Sequence, residues 1–111
     1  MAAACWLLPV SLAGCAHRDA AAYARQACRY VESSLAAWAR ARSDPDPAAA
    51  ARQRLAAQVD LRNALPLAAL AASDDSQWQA LATTISESTR VDEGLLVHAL
   101  ATQCAQVATP G

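Results

Sequence analysis

Residues 19–47 read DAAAYARQACRYVESSLAAWARARSDPDP. Within this stretch Cys28, Val31, Leu35 and Trp38 recur at i, i+3, i+7 and i+10. That spacing places them on one stripe of an α-helix. The stretch predicts a first helix from Asp19 to about Arg42, with Asp19 as N-cap at the positive end of the helix dipole. Ser43-Asp44-Pro45-Asp46-Pro47 ends it, because a residue before proline is pushed out of helical geometry.

The same punctuation starts a second helix, with Asp46 as N-cap and Pro47 in the first helical position. Leu55, Val59 and Leu70 are expected on its inner face. Pro66 removes a backbone donor and predicts a kink near Arg62 to Leu65. Ser73-Asp74-Asp75 marks the next boundary, where Asp74 and Gln77 resemble a capping box. A third helix would carry Trp78, Leu81 and Ile85. It should end by about Ser88, since Thr83, Thr84, Ser86, Ser88 and Thr89 are poor helix formers. A fourth should start near Asp92, with Glu93 in its first turn. Its stripe of Val97, Leu100, Cys104 and Val107 repeats the spacing of the first. Short loops favour antiparallel neighbours, so the expected fold is an all-α, up-down four-helix bundle over residues 19–108, with a short tail at 109–111.

Composition agrees. Roughly a quarter of the residues are alanine, the strongest helix former. Nine arginines oppose ten acids and there is no lysine. A nucleic-acid binder needs a basic stripe to displace counterions, so no nucleic-acid partner is expected. The lack of lysine excludes Schiff-base chemistry.

Residues 1–15 read MAAACWLLPVSLAGC, with no charged side chain before Arg18. The apolar stretch of about a dozen residues suits the core of a secretory signal and is short of the ~20 a membrane span needs. It closes on Leu12-Ala13-Gly14-Cys15. This resembles the lipobox of bacterial lipoproteins, and the composition is similar to that of small lipoproteins of high-GC actinobacteria. The resemblance implies a signal peptide at 1–14, cleaved before Cys15, and a diacylglyceryl group on the Cys15 thiol. Small residues at Ala13 and Gly14 would fit a narrow cleavage site, and the thiol is the nucleophile for the thioether. It implies residues 15–18 as a lipid-anchored tether and a location at the extracytoplasmic face of the cell membrane. Three extended residues span about 10 Å, so the bundle would sit close to the lipid. The helix 2–3 turn and the C-terminus would face the membrane, and the helix 1–2 and 3–4 turns would face outward.

With Cys5 removed and Cys15 acylated, Cys28 and Cys104 remain as an even pair in an oxidising compartment. In an up-down bundle, helices 1 and 4 are adjacent and the two cysteines fall at a similar level. A disulfide is expected, against the alternative of two buried thiols. It would close a loop of about 75 residues, worth roughly 4 kcal/mol in the chain-entropy model. The spacing offers no second metal ligand beside either cysteine, so neither a metal nor a cofactor is expected.

No catalytic constellation stands out. His17 belongs to the tether, and His98 falls beside the helix 4 stripe. The acid pairs Asp74-Asp75 and Asp92-Glu93 sit at helix starts, where capping and dipole compensation account for them. Trp38 and Trp78 are expected as core anchors. The hydroxyl-rich segment with Thr83, Thr84, Ser86, Glu87, Ser88 and Arg90 is the candidate interaction surface. The function expected is that of a non-enzymatic envelope lipoprotein, membrane-anchored, that docks an envelope protein. A small-ligand carrier with a pocket between Trp38 and Trp78 is the alternative, and a small secreted helical enzyme a second. An enclosed apolar cavity of several hundred Å³ would favour the carrier. A solid core with an exposed apolar patch would favour the interaction module.

Overall fold

The computed structural model describes residues 9–108, with side chains described for 19–107. The side chains of Leu12 to Cys15 and of His17, and the tail at 109–111, lie outside the described residues.

Four α-helices follow in order: α1 (Pro9–Ser43), α2 (Pro47–Asp74), α3 (Gln79–Glu87) and α4 (Val97–Ala108). No strand occurs among the described residues. α1 packs along α2, α2 on α3, α3 on α4, and α4 back on α1. This ring of neighbours is the expected all-α, up-down bundle.

The elements differ from expectation at their edges. α1 begins at Pro9, so Asp19 is an interior helical residue and not an N-cap. Nothing between Pro9 and Ser43 breaks a helix except Gly14, and a single glycine costs only ~1 kcal/mol. The backbone of 15–18 is therefore helical, where an extended tether was expected. α2 starts as foreseen: the Asp46 side chain accepts from Ala48 N at 3.2 Å. Pro66 lies inside α2, which continues to Asp74. The Arg62 carbonyl that loses its partner belongs to an exposed residue, where water can solvate it. Asp75, not Asp74, caps the next turn, accepting from Gln77 N at 3.2 Å. That turn is a short 3₁₀ helix (Ser76–Trp78). A second 3₁₀ turn (Glu93–Leu95), capped by Asp92, precedes α4, which starts at Val97 and not at Asp92.

The core is built largely of alanine. On α1 the buried positions Ala20, Ala24, Ala27, Val31, Ser34 and Ala41 step by three, four or seven residues. On α2 Ala57, Leu61, Ala64, Ala68 and Ala71 do the same. Heptad spacing of this kind is that of an antiparallel coiled coil, and one-carbon side chains let the two axes approach closely. Larger residues close the lower bundle, where Leu81, Ile85 and Leu100 join Val31 and Leu61.

This overturns the expected inner face of α2. Leu55, Val59 and Leu70 are 56, 43 and 46 % exposed. At 100° per residue they lie opposite the alanine seam, beside the exposed Pro66. A seam against α1 selects small side chains at every buried α2 position but Leu61, so Leu55, Val59 and Leu70 are left outside.

Cys28 and Cys104 form a disulfide with a Cα–Cα distance of 5.5 Å. It joins the middle of α1 to the end of α4 and lies within the core cluster.

Candidate functional site

Two features depart from a plain bundle. The first is the outer face of α2. Leu55, Val59, Pro66 and Leu70 follow one stripe, with the exposed Arg52 and Arg62 along it. A monomeric bundle does not need large apolar side chains there.

The second lies where the α3–α4 turn meets the two long helices. Ser34, on the buried stripe of α1, is 0 % exposed. Its Oγ lies 2.7 Å from the carbonyl oxygen of Ala57 on α2 and 2.9 Å from Oε2 of Glu93. Glu93 is 6 % exposed, and its Oε1 is buried with no hydrogen-bond partner. Burial raises the pKa of Glu93 above the usual carboxylate value; Asp92 and Asp60 add to the rise, while the hydrogen-bond contact with Ser34 opposes it without cancelling it. The next residue is Gly94, where the ring of Trp38 approaches so closely that a Cβ would stand 3.0 Å from Cζ2. The Asp92 carboxylate accepts from Gly94 N at 3.2 Å and fixes the turn. A cavity of about 70 Å³ opens beside these groups, lined among others by Trp38, Arg54, Gln58, Leu61, Asp92 and Glu93.

Sequence reasoning placed Glu93 in a helix first turn as dipole compensation. The structure instead buries it against α1 and α2. The one signal of Ser34 in the sequence is a hydroxyl on a stripe of alanines. The partner of Ser34 is 59 residues away in sequence, so spacing could not supply it.

The hydroxyl-rich segment is half-buried at Thr84, Glu87 and Ser88 and exposed at Thr83, Ser86, Thr89 and Arg90, and many of its hydroxyls bond within the segment's own helix end. Thr84 Oγ1 donates to Ala80 O at 2.9 Å and accepts from Gln103 Nε2 at 3.0 Å, tying α3 to α4. Ser88 Oγ donates to Ile85 O, and Thr89 Oγ1 to Ser86 O. Glu87 pairs with Arg90 at 2.6 Å. Thr83 and Ser86 are exposed. These bonds finish the C-terminal end of α3, as poor helix formers at a helix end can.

Trp38 and Trp78 are each half-buried, with a buried Nε1 that has no partner. Trp38 lines the small cavity and Trp78 does not. A larger, open groove of about 410 Å³ runs past the Tyr30 ring and the polar side chains of Gln26, Arg29, Ser33 and Asp60. His98 is exposed. Among the described residues no cluster of His, Cys, Asp and Glu could hold a metal, and no helix is long and apolar enough to cross a membrane.

No protein-family model, curated protein or solved structure matches the chain.

Proposed function

We propose that the chain is a non-enzymatic lipoprotein of the cell envelope, anchored through an acyl group on Cys15, whose bundle docks an envelope protein. The observation that carries the docking role is the outer face of α2. Leu55, Val59 and Leu70 stand in solvent while alanines fill the seam behind them. Contiguous exposed apolar residues with a charged border are the usual composition of an interaction surface. The cavities beside Trp38 and along α1 are small or open, which supports docking over carriage of an apolar ligand. The Cys28–Cys104 bridge suits an oxidising compartment outside the cytoplasm. The anchor itself rests on the resemblance of Leu12-Ala13-Gly14-Cys15 to a lipobox.

The test places a photo-crosslinking residue at Val59 in the full chain, in cells, with a second at the exposed Glu32 of α1 for comparison. A discrete protein adduct at Val59, weaker at Glu32 and lost in Cys15→Ser, is expected. Equal labelling at the two sites would overturn the α2 surface. A chain found unacylated in the soluble fraction would overturn the anchor.

A further inference from the structure

Ser34 Oγ carries one proton and faces two acceptor atoms, Ala57 O at 2.7 Å and Glu93 Oε2 at 2.9 Å. The Ala57 carbonyl has no proton to give. With Glu93 ionised, one of these two short contacts would set lone pair against lone pair. With Glu93 neutral, its O–H donates to Ser34 Oγ, the Ser34 O–H donates to Ala57 O, and both contacts are hydrogen bonds. The second carboxyl oxygen leads to the same assignment. Ionised carboxylates in protein interiors gather several donors, yet no protein group donates to the buried Oε1 of Glu93.

The surroundings agree. From its own turn Glu93 faces Asp92, and from α2 it faces Asp60, both of which oppose a further negative charge. Arg54 of α2 lines the adjoining cavity but is exposed, so its charge is screened by solvent. α1 contributes the uncharged Ser34 and the Trp38 ring, and α3 the uncharged Ser88. No ionisable residue of α4 lines the cavity.

We propose that Glu93 is held as the neutral acid and is a proton-dependent latch, whose carboxyl O–H seals the α3–α4 turn onto α1 and α2 through Ser34. Loss of that proton breaks the relay, lets the turn around Glu93–Leu95 lift, and widens the 70 Å³ cavity beside Arg54 and Gln58. The latch is independent of what docks on α2, although Arg54 and Gln58 flank that face.

The chain has three glutamates, Glu32, Glu87 and Glu93, so ¹³C labelling of glutamate carboxyls gives a resolvable set. Titration of the oxidised full chain by NMR, with signals assigned through Glu32→Gln and Glu87→Gln, reads the proton directly. The Glu93 signal should hold its protonated shift after the other two have titrated. Amide exchange of Glu93 to Leu96, corrected for its intrinsic pH dependence, should then quicken by up to about tenfold per pH unit below the Glu93 midpoint and level off above it, since there each unit raises the ionised fraction tenfold. In Glu93→Gln, whose amide can still donate to Ser34, that acceleration should be absent. A Glu93 signal that titrates with or below the other two would overturn the neutral acid. A high midpoint without faster turn exchange would overturn the latch.

Discussion

At the scale of single residues, Gly94 and Glu93 are the most sensitive positions in the α3–α4 turn. A Cβ at Gly94 would meet Asp92 Oδ2 at 2.9 Å and Trp38 Cζ2 at 3.0 Å. The first is the cap of its own turn and the second a large ring, so neither moves freely. Gly94→Ala should cost about 1–3 kcal/mol, the usual range for overpacking, measured by urea unfolding of the oxidised chain. Glu93 makes stability depend on pH in a direction opposite to that of a salt-bridged carboxylate. Its folded pKa is raised, so above the ordinary carboxylate value the folded chain keeps a proton that the unfolded chain has lost. Stability then falls as pH rises from that ordinary value to the raised one, and is flat with respect to this group outside the window. The difference between wild type and Glu93→Gln, followed by thermal unfolding across the range, isolates the effect. A difference that does not change with pH would contradict it.

At the scale of elements, α2 separates what the sequence makes legible from what it hides. The stripes Cys28-Val31-Leu35-Trp38 and Val97-Leu100-Cys104-Val107 are readable because large apolar residues mark them; Cys28, Val31, Leu100 and Cys104 are buried, Leu35 and Val107 pack against them, and Trp38 and Val97 are half-buried at the stripe ends. The Asp46-Pro47 start was readable because its chemistry is local. On α2 the same habit of following large residues picks the wrong face. The buried set is Ala50, Ala57, Leu61, Ala64, Ala68 and Ala71, and in a sequence this rich in alanine its five alanines do not stand out from their neighbours. The Ser34–Glu93 contact was hidden for a different reason, since it needs the packing of three elements to exist. Exchange of the two faces in function gives a direct test. Leu55→Ser, Val59→Thr and Leu70→Ser should each change stability by no more than about 0.5 kcal/mol, as for surface positions. Ala64→Leu should cost about 1–3 kcal/mol or more through overpacking of the seam. Denaturant midpoints for the four variants would settle the register of α2. The opposite ranking would restore the leucines to the core.

At the scale of the whole molecule, the bundle is long and narrow, with extents of 59 × 23 × 22 Å. Its core is made of side chains that each bury little area, so the hydrophobic contribution per residue is small at roughly 25 cal/mol per Å². The disulfide therefore carries weight. The Cys28→Ser, Cys104→Ser double variant should lose stability of about 4 kcal/mol in the chain-entropy model, visible as a lower midpoint with loss of protection first in α4. The topology also separates the two ends of the molecule. The α1–α2 turn at Ser43–Pro47 lies at one end, and the α2–α3 turn lies at the other with the start of the bundle. If the chain is anchored through Cys15, spin labels at Asp46 and Asp74 in vesicle-bound protein should sit at different depths, with Asp74 nearer the lipid. Equal distances would contradict that orientation.

The bridge between Cys28 and Cys104 has a topological consequence. Their separation of 76 in sequence places α2, α3, both 3₁₀ turns and the second half of α1 inside one covalent ring. A pull applied to the polypeptide on either side of the bridge passes through the S–S bond, and the backbone between Cys28 and Cys104 carries no tension. A protease that nicks the exposed turn at Pro45 severs the polypeptide and releases nothing. The cut chain stays one molecule on a gel without reductant and separates into two fragments only when reductant is added. A domain held together mostly by alanine can thus survive mechanical load and a single cleavage because its connectivity, and not its packing, keeps the pieces in register.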